Sequence, residues 1–304
     1  MIVWLASYPR SGNTLLRTVL KQSMGLGSYS DEIIRPIVGL TDHAKEWIGD
    51  LSFESSWDSF YHQASNSKNI FLVKTHLPPR DNQPVIYVVR DGRMATESYA
   101  GYHKSFSPNS KFCPSILELM LGDDYYGDWS SHYRMWNSRT EGELLLVRFE
   151  ELVNADRQLL ERLRMTVGFE GELKLFENPM EKLHLENPNF FRSGQTSWKK
   201  SSQWTENLEA LFIALHGDLL LQFGYLGSPE YEVALEKLDP MAVRLIELAN
   251  RGFLERSAWY TEAHSKEKVI QQLLLERQGI TAQGASRAQG WLARIFDAVR
   301  SNQR

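Results

Sequence analysis

The chain has 304 residues, 42% of them hydrophobic and 24% charged, which fits a globular protein of one large domain or a domain with an appendage. Its net charge of −4 argues against a general nucleic-acid binder, so any anion site has to be local. A single cysteine, Cys113, excludes an intramolecular disulfide and a cysteine-rich zinc cluster, and is compatible with a reducing cytoplasm.

In chain order, the opening MIVWLA lacks the basic flank and apolar length of a secretory signal, and Ile2–Ser7 reads instead as a strand. A helix is expected over residues 14–24. Residues 25–68 are mixed, with DEIIRPIVGL and WDSFYHQA reading as short helices. Further strands are expected over 69–75, 84–90 and 144–149, and helices over 94–102 and 155–167. Residues 101–130 read as an aromatic loop, and long connections of this kind often form binding walls. The strands are apolar on both faces, as in a parallel sheet covered by helices, so the fold class is α/β with a central parallel sheet. No apolar run reaches about 18 residues, so no membrane span is expected.

Composition shifts after FGYLGSPEYE. A domain over 1–228 and a helical C-terminal extension over 229–304 are expected, with two or three amphipathic helices from about Asp239 onward. The last of these, GWLARIFDAVRSNQR, reads first as a helix covering its own domain. Docking on a partner, a membrane surface or another copy of the chain is the alternative, and homo-oligomerisation would run through these helices.

Four stretches carry chemistry. ASYPRSGNTLLR follows the first strand and opens a helix, where backbone N–H groups and the helix dipole suit an anion. Gly12 permits close backbone approach there, Ser11, Asn13 and Thr14 add side-chain donors, and Arg10 adds a charge. The loop lacks the Lys of GxxxxGK[ST], which argues against a magnesium-bound nucleoside triphosphate. FLVKTHLPPR places Lys74 and His76 at a strand end, two positions apart and so on one side. A histidine can take a proton from a hydroxyl, and a lysine can steady developing negative charge. VIYVVRDGRMATESYAGYH offers Arg90 and Ser98 to a phosphate, whereas Asp91 and Arg93 read as a surface turn. NFFRSGQTSWKK adds Arg192 and Gly194 in a polar loop.

In this order, the four stretches resemble the P-loop-like sulfotransferases that use 3′-phosphoadenosine 5′-phosphosulfate (PAPS). YPRSGNTLLR is similar to the family's 5′-phosphosulfate loop, KTHLP to its catalytic strand end, VVRDGRMATES to its 3′-phosphate signature and FRSG to its late Arg-x-Gly loop. GDWSSHYRMW and LLVRFEEL extend the likeness, which covers roughly residues 2 to 225. The resemblance implies a P-loop NTPase-like fold, with Arg10, Ser11, Gly12, Asn13 and Thr14 on the 5′-phosphate and sulfuryl group. It implies Arg90, Ser98, Arg192, Ser193 and Gly194 at the 3′-phosphate, and Phe149 near the adenine in place of a common Tyr. His76 would be the general base, with Lys74 and Arg10 beside the transferring group. Arg10 stands where animal cytosolic members carry Lys, and Ser193 where Lys is common.

The implied reaction is in-line transfer to a hydroxyl or amine, releasing adenosine 3′,5′-bisphosphate (PAP), with no metal required. The competing readings are a P-loop kinase using ATP and magnesium, and a catalytically silent nucleotide-binding module. Trp47, Trp57, Phe60, Tyr61, Tyr102, Phe106, Tyr125, Tyr126 and Trp129 concentrate where a pocket for a small or partly apolar acceptor is expected, several of them serving as core. His103 reads first as a surface residue, with a place facing the acceptor as the alternative.

Overall fold

The computed structural model describes residues 1–31, 41–106, 113–191, 194–236, 238, 241 and 244. Strand β1 (Ile2–Ser7) feeds helix α1 (Asn13–Met24), and a two-residue strand β2 (Tyr29–Ser30) follows. Helices α2 (Asp42–Ile48) and α3 (Trp57–Asn66) precede β3 (Phe71–Thr75) and β4 (Val85–Val89). Next come α4 (Gly92–Phe106), α5 (Ile116–Met120), α6 (Trp129–Asn137) and β5 (Leu144–Arg148). The chain continues through α7 (Phe149–Val153), α8 (Arg157–Val167), α9 (Met180–Glu186), α10 (Glu206–Gln222) and α11 (Ser228–Glu236).

The five strands form one parallel sheet in the order β2-β3-β1-β4-β5. Strand β1 therefore lies at the centre, with Leu5 level with Lys74 of β3 and Ser7 level with Val88 of β4. Successive strands leave β1 on opposite sides, so the crevice at its carboxyl end is where an open α/β sheet binds ligands.

Alternation along β1 builds two different cores. Ile2, Trp4, Ala6 and Tyr8 face an aromatic layer that includes Trp57, Phe60, Trp129, Trp136 and Phe212. Val3 and Leu5 face an aliphatic layer supplied by α1 and α8, with Leu16, Val19, Leu160 and Leu163 fully buried. Trp4 keeps its indole N–H satisfied by donating to Asp81 at 2.8 Å, and Tyr61 donates to the other oxygen of that carboxylate at 2.7 Å. Burial and this carboxylate push the Tyr61 phenol up to about 12. Gly92 opens α4 because a Cβ there would lie 2.5 Å from Trp129 and 2.8 Å from Phe212. Only a glycine lets this helix start rest directly on the indole ring.

The expected strands are all present, within one or two residues at their ends. Strand β2 is additional, and it pairs only Tyr29 with Val73 and Ser30 with Lys74. Arg17, buried on α1, secures this edge by donating to the Ser28 hydroxyl at 2.7 Å and pairing with Asp50. WDSFYHQA is helical as expected, in α3. Most of DEIIRPIVGL lies outside the described residues, as do nearly all residues of the expected helical extension. Within that span α11 packs along α10, with the Tyr231 ring against Gly217. No helix among the described residues is long and apolar enough to cross a membrane.

Candidate active site

The loop after β1 turns tightly, with the Ser11 N–H donating to the Tyr8 carbonyl at 3.2 Å. Two adjacent-but-one residues take left-handed backbone angles: Arg10 at φ 63° and Gly12 at φ 112°. Among the described residues Arg10 alone does so without being glycine, a conformation costing roughly 1–2 kcal/mol. Gly12 cannot be replaced without movement, because a Cβ would come 2.6 Å from the Phe149 ring. Helix α1 then begins with no side chain capping it. Its first amides, its dipole and the buried, unpartnered Ser11 hydroxyl thus face the same loop.

Asn13 is a correction. Its side-chain amide donates inward to the Leu5 carbonyl at 2.7 Å, and lies 3.4 Å from the Ser7 hydroxyl. That amide ties the helix start to β1, so Asn13 offers an anion its backbone N–H and not a side-chain donor. Thr14 follows in the first turn, half-buried, and its carbonyl accepts from Thr18 at 2.9 Å.

On one side of this loop stand Lys74 and His76. Lys74 is the penultimate residue of β3 at 7% exposure, and its carbonyl accepts from the Asp31 N–H at 3.1 Å. His76 places Nδ1 2.7 Å from the Ser7 carbonyl. A carbonyl only accepts, so Nδ1 carries the proton and, in the neutral ring, Nε2 is the basic nitrogen. Tyr126 meets this ring edge-on at 5.7 Å. The His76 carbonyl in turn accepts from Nε2 of His132, at 2.8 Å.

On the other side stands Arg90, 7% exposed at the end of β4. Its guanidinium lies 4.3 Å over the Phe149 ring and donates to the carbonyls of Gln195 at 2.8 Å and Arg10 at 3.3 Å. Phe149 is therefore a buried floor beneath both Gly12 and Arg90. The contact to Gln195 brings the turn at Gly194, φ 68°, beside the loop. Arg192 and Ser193 lie outside the described residues. Arg10 reaches across the gap: its Nε donates to Ser98 at 3.3 Å and its Nη2 to the Phe190 carbonyl at 2.7 Å, between the rings of Tyr102 and Phe190. The structure thus joins Arg10 to Ser98, residues that the sequence motifs assign to opposite ends of a ligand.

Several expectations change. Asp91 and Arg93 are not a surface turn; they are 3% and 4% exposed and pair at 2.7 Å, with Arg93 also donating to the Tyr225 carbonyl. Asp91 accepts from the Arg93 N–H and so starts α4. His103 is buried too, its ring tilted against Tyr99 at 4.6 Å and lying 4.0 Å from Asp124. Of the nine aromatics expected around the acceptor, Trp57, Phe60 and Trp129 belong to the core. Tyr126 approaches His76, while Tyr102 and Phe106 pack with Phe190 and Trp47.

His132, Tyr87, Ser7 and Gln195 go unmarked in the sequence. The one signal for His132 is its place four residues after the helix-capping Asp128, on the inward stripe of Trp129, Tyr133 and Trp136. Burial pushes its imidazole down to about 4, against weaker opposing effects of the His76 carbonyl and Asp128. The unfolded chain protonates this group below its ordinary value of 6.5 while the folded chain does not until about 4. Its contribution to stability is complete above that ordinary value and falls as pH drops towards the folded value, by about 3 kcal/mol in all. Denaturant midpoints should fall less between about pH 7 and about pH 4.5 in His132→Gln than in wild type; equal falls would contradict this assignment.

Residues 2–210 match the family described as the sulfotransferase domain. Sulfotransferase 4A1 of Mus musculus and of Homo sapiens are each 26% identical to this chain over 197 residues, covering 60% of this chain and 65% of theirs. The chain therefore spans about 65% of the length of the curated relatives it matches. Among solved structures, mouse sulfotransferase SULT7A1 complexed with PAP is 18% identical, covers 82% of this chain and 88% of its own, and has a TM-score of 0.47. Retinol dehydratase in complex with androsterone and inactive cofactor PAP is 17% identical, covers 83% and 80%, and has a TM-score of 0.36. With the family match running through well over half of its length, the chain belongs to the sulfotransferase domain family.

Proposed function

We propose that this protein transfers a sulfuryl group from PAPS to a hydroxyl or amine of a small or partly apolar acceptor. The supporting observation is the arrangement around the Gly12 loop, with a tautomer-defined histidine on one flank and a buried arginine on the other. Family membership favours this reading over an ATP-dependent kinase.

PAPS supplies an activated sulfuryl group with PAP as its leaving group. The amides of Gly12, Asn13 and Thr14, with Ser11 and Arg10, would hold the 5′-phosphosulfate. Arg90, Ser98, Arg192, Ser193 and Gly194 would hold the 3′-phosphate, with Phe149 as the floor beside the adenine. His76 takes the acceptor's proton on Nε2 as the new oxygen–sulfur (or nitrogen–sulfur) bond forms and the bridging sulfur–oxygen bond breaks. Lys74 and Arg10 stabilise the negative charge that the bridging oxygen gains. Arg10 stays charged throughout, so it acts by hydrogen bonding and not as an acid. The acceptor would lie against Tyr126, whose ring already borders His76. The lone cysteine suits a cytoplasmic setting, and self-association through residues 229–304 is part of the same proposal.

Sulfur-35-labelled PAPS, incubated with a panel of phenols, aliphatic alcohols and amines, tests the reading. Label should move to at least one acceptor class with wild-type protein. If PAP binds but label stays in PAPS across the whole panel, a catalytically silent binding module is the better description.

A further inference from the structure

His132 lies on α6 with no solvent exposure, and both of its ring nitrogens meet partners. Nε2 is 2.8 Å from the His76 carbonyl, and Nδ1 is 2.8 Å from the Tyr87 hydroxyl. The carbonyl can only accept, so Nε2 carries the hydrogen, Nδ1 is bare and Tyr87 donates to it. Tyr87 keeps its proton because complete burial raises its pKa well above the ordinary phenol value. The relay is neutral from end to end. Tyr8 closes over the His132 ring edge-on at 6.0 Å, and the neighbouring Asp128 carboxylate is already taken up by the Ser131 N–H and hydroxyl.

The far end of the relay matters most. The carbonyl it reaches belongs to the residue whose ring donates from Nδ1 to Ser7. His76 is therefore gripped twice, at its peptide by α6 and at its ring by the end of β1. The two grips come from different elements, since His132 lies on α6 and Ser7 ends β1, and both hold the residue that directly follows β3.

We propose that His132 is a positioning residue: its Nε2–H clamps the His76 peptide, keeps Nδ1–H of His76 on Ser7, and so directs the basic Nε2 towards the acceptor. Tyr87 donates to the bare Nδ1 of His132 and so reinforces the tautomer that the His76 carbonyl selects. The proposal rests on the reading of His76 as general base, but its structural part does not need that reading to hold.

Long-range proton–nitrogen spectra of the imidazoles in nitrogen-15-labelled protein test it without any ligand, the His76 signals being assigned by their loss in His76→Gln. Wild type should show His76 only as the Nδ1–H tautomer and His132 only as Nε2–H. His132→Gln, whose amide can still donate, should keep the His76 tautomer, whereas His132→Leu should give a mixture of both forms. In parallel, turnover with PAPS should fall about a hundredfold in His132→Leu and recover in His132→Gln. A His132→Leu protein with a dispersed amide spectrum and an unchanged His76 tautomer overturns the proposal. If that variant does not fold, Tyr87→Phe decides: mixed tautomers at His132 and His76 support the relay, and wild-type spectra at both overturn it. Full turnover in His76→Ala is the separate outcome that removes the general base and leaves the tautomer result standing.

Discussion

His76→Ala is expected to lower sulfuryl transfer by about three powers of ten while leaving PAP affinity within about twofold of wild type, because a positioned base contributes roughly 10²–10⁴ in rate. The split follows from geometry. His76 sits at the β3 end of the crevice and contacts Ser7 and Tyr126, whereas the groups proposed to bind the anion lie on the loop and on the β4 side. Removing the ring deletes the basic Nε2 and frees the Ser7 carbonyl, but touches neither Arg90 nor the α1 amides. His76→Gln is the sharper companion, since it retains a polar group of similar reach without a basic nitrogen, and it should be no more active. Single-turnover rates with PAPS, alongside calorimetric PAP binding, measure both quantities. Wild-type rates in either variant remove His76 from the chemistry, and a parallel loss of PAP binding assigns it to the ligand site instead.

The second large effect is expected at Arg90. Arg90→Ala should weaken PAP binding by about a hundredfold, as a charge-assisted phosphate contact of about 1.5–3 kcal/mol disappears. Arg90→Lys should recover little of it. The guanidinium is held over the Phe149 ring while it donates to two backbone carbonyls, and an ammonium cannot reproduce that fork. The signature in steady-state kinetics is a raised KM for PAPS. Loss of rate at saturating PAPS with unchanged affinity would place Arg90 in the transfer step, against the assignment made above.

Strand positions were the most legible part of this protein, because runs such as IVWLAS and VIYVV combine β-branched and aromatic residues over a length that helices rarely share, whereas the stretch 101–130, read as a loop, holds the end of α4 and all of α5. Strand β2 is invisible by the same measure: two residues carry no period, and their pairing depends on the buried Arg17 and Ser28. Charged residues misled in a consistent direction. Asp91, Arg93 and His103 read as exposed because burying such groups is costly unless each is paired. The partners come from Tyr225, Trp198 and Asp124, and the first two lie far downstream in sequence. The candidate residues that gather around the Gly12 loop were legible as motifs, but their wiring was not. That Arg10 bridges to Ser98 and that His132 holds His76 are products of packing between distant elements, and that Asn13 points inward to Leu5 depends on how tightly α1 turns back on β1. The aromatic count likewise suggested a pocket wall, and the core around Trp4 claims much of it.

Calorimetric titration of the same protein sample with PAP and with ATP plus magnesium tests the central claim without needing an acceptor. The proposed 3′-phosphate site at Arg90 and Ser98, and a loop without the Lys of GxxxxGK[ST], predict PAP binding in the micromolar range or tighter, with ATP at least about a hundredfold weaker. Tighter binding of magnesium-ATP than of PAP would contradict the account and return the loop at Gly12 to the kinases.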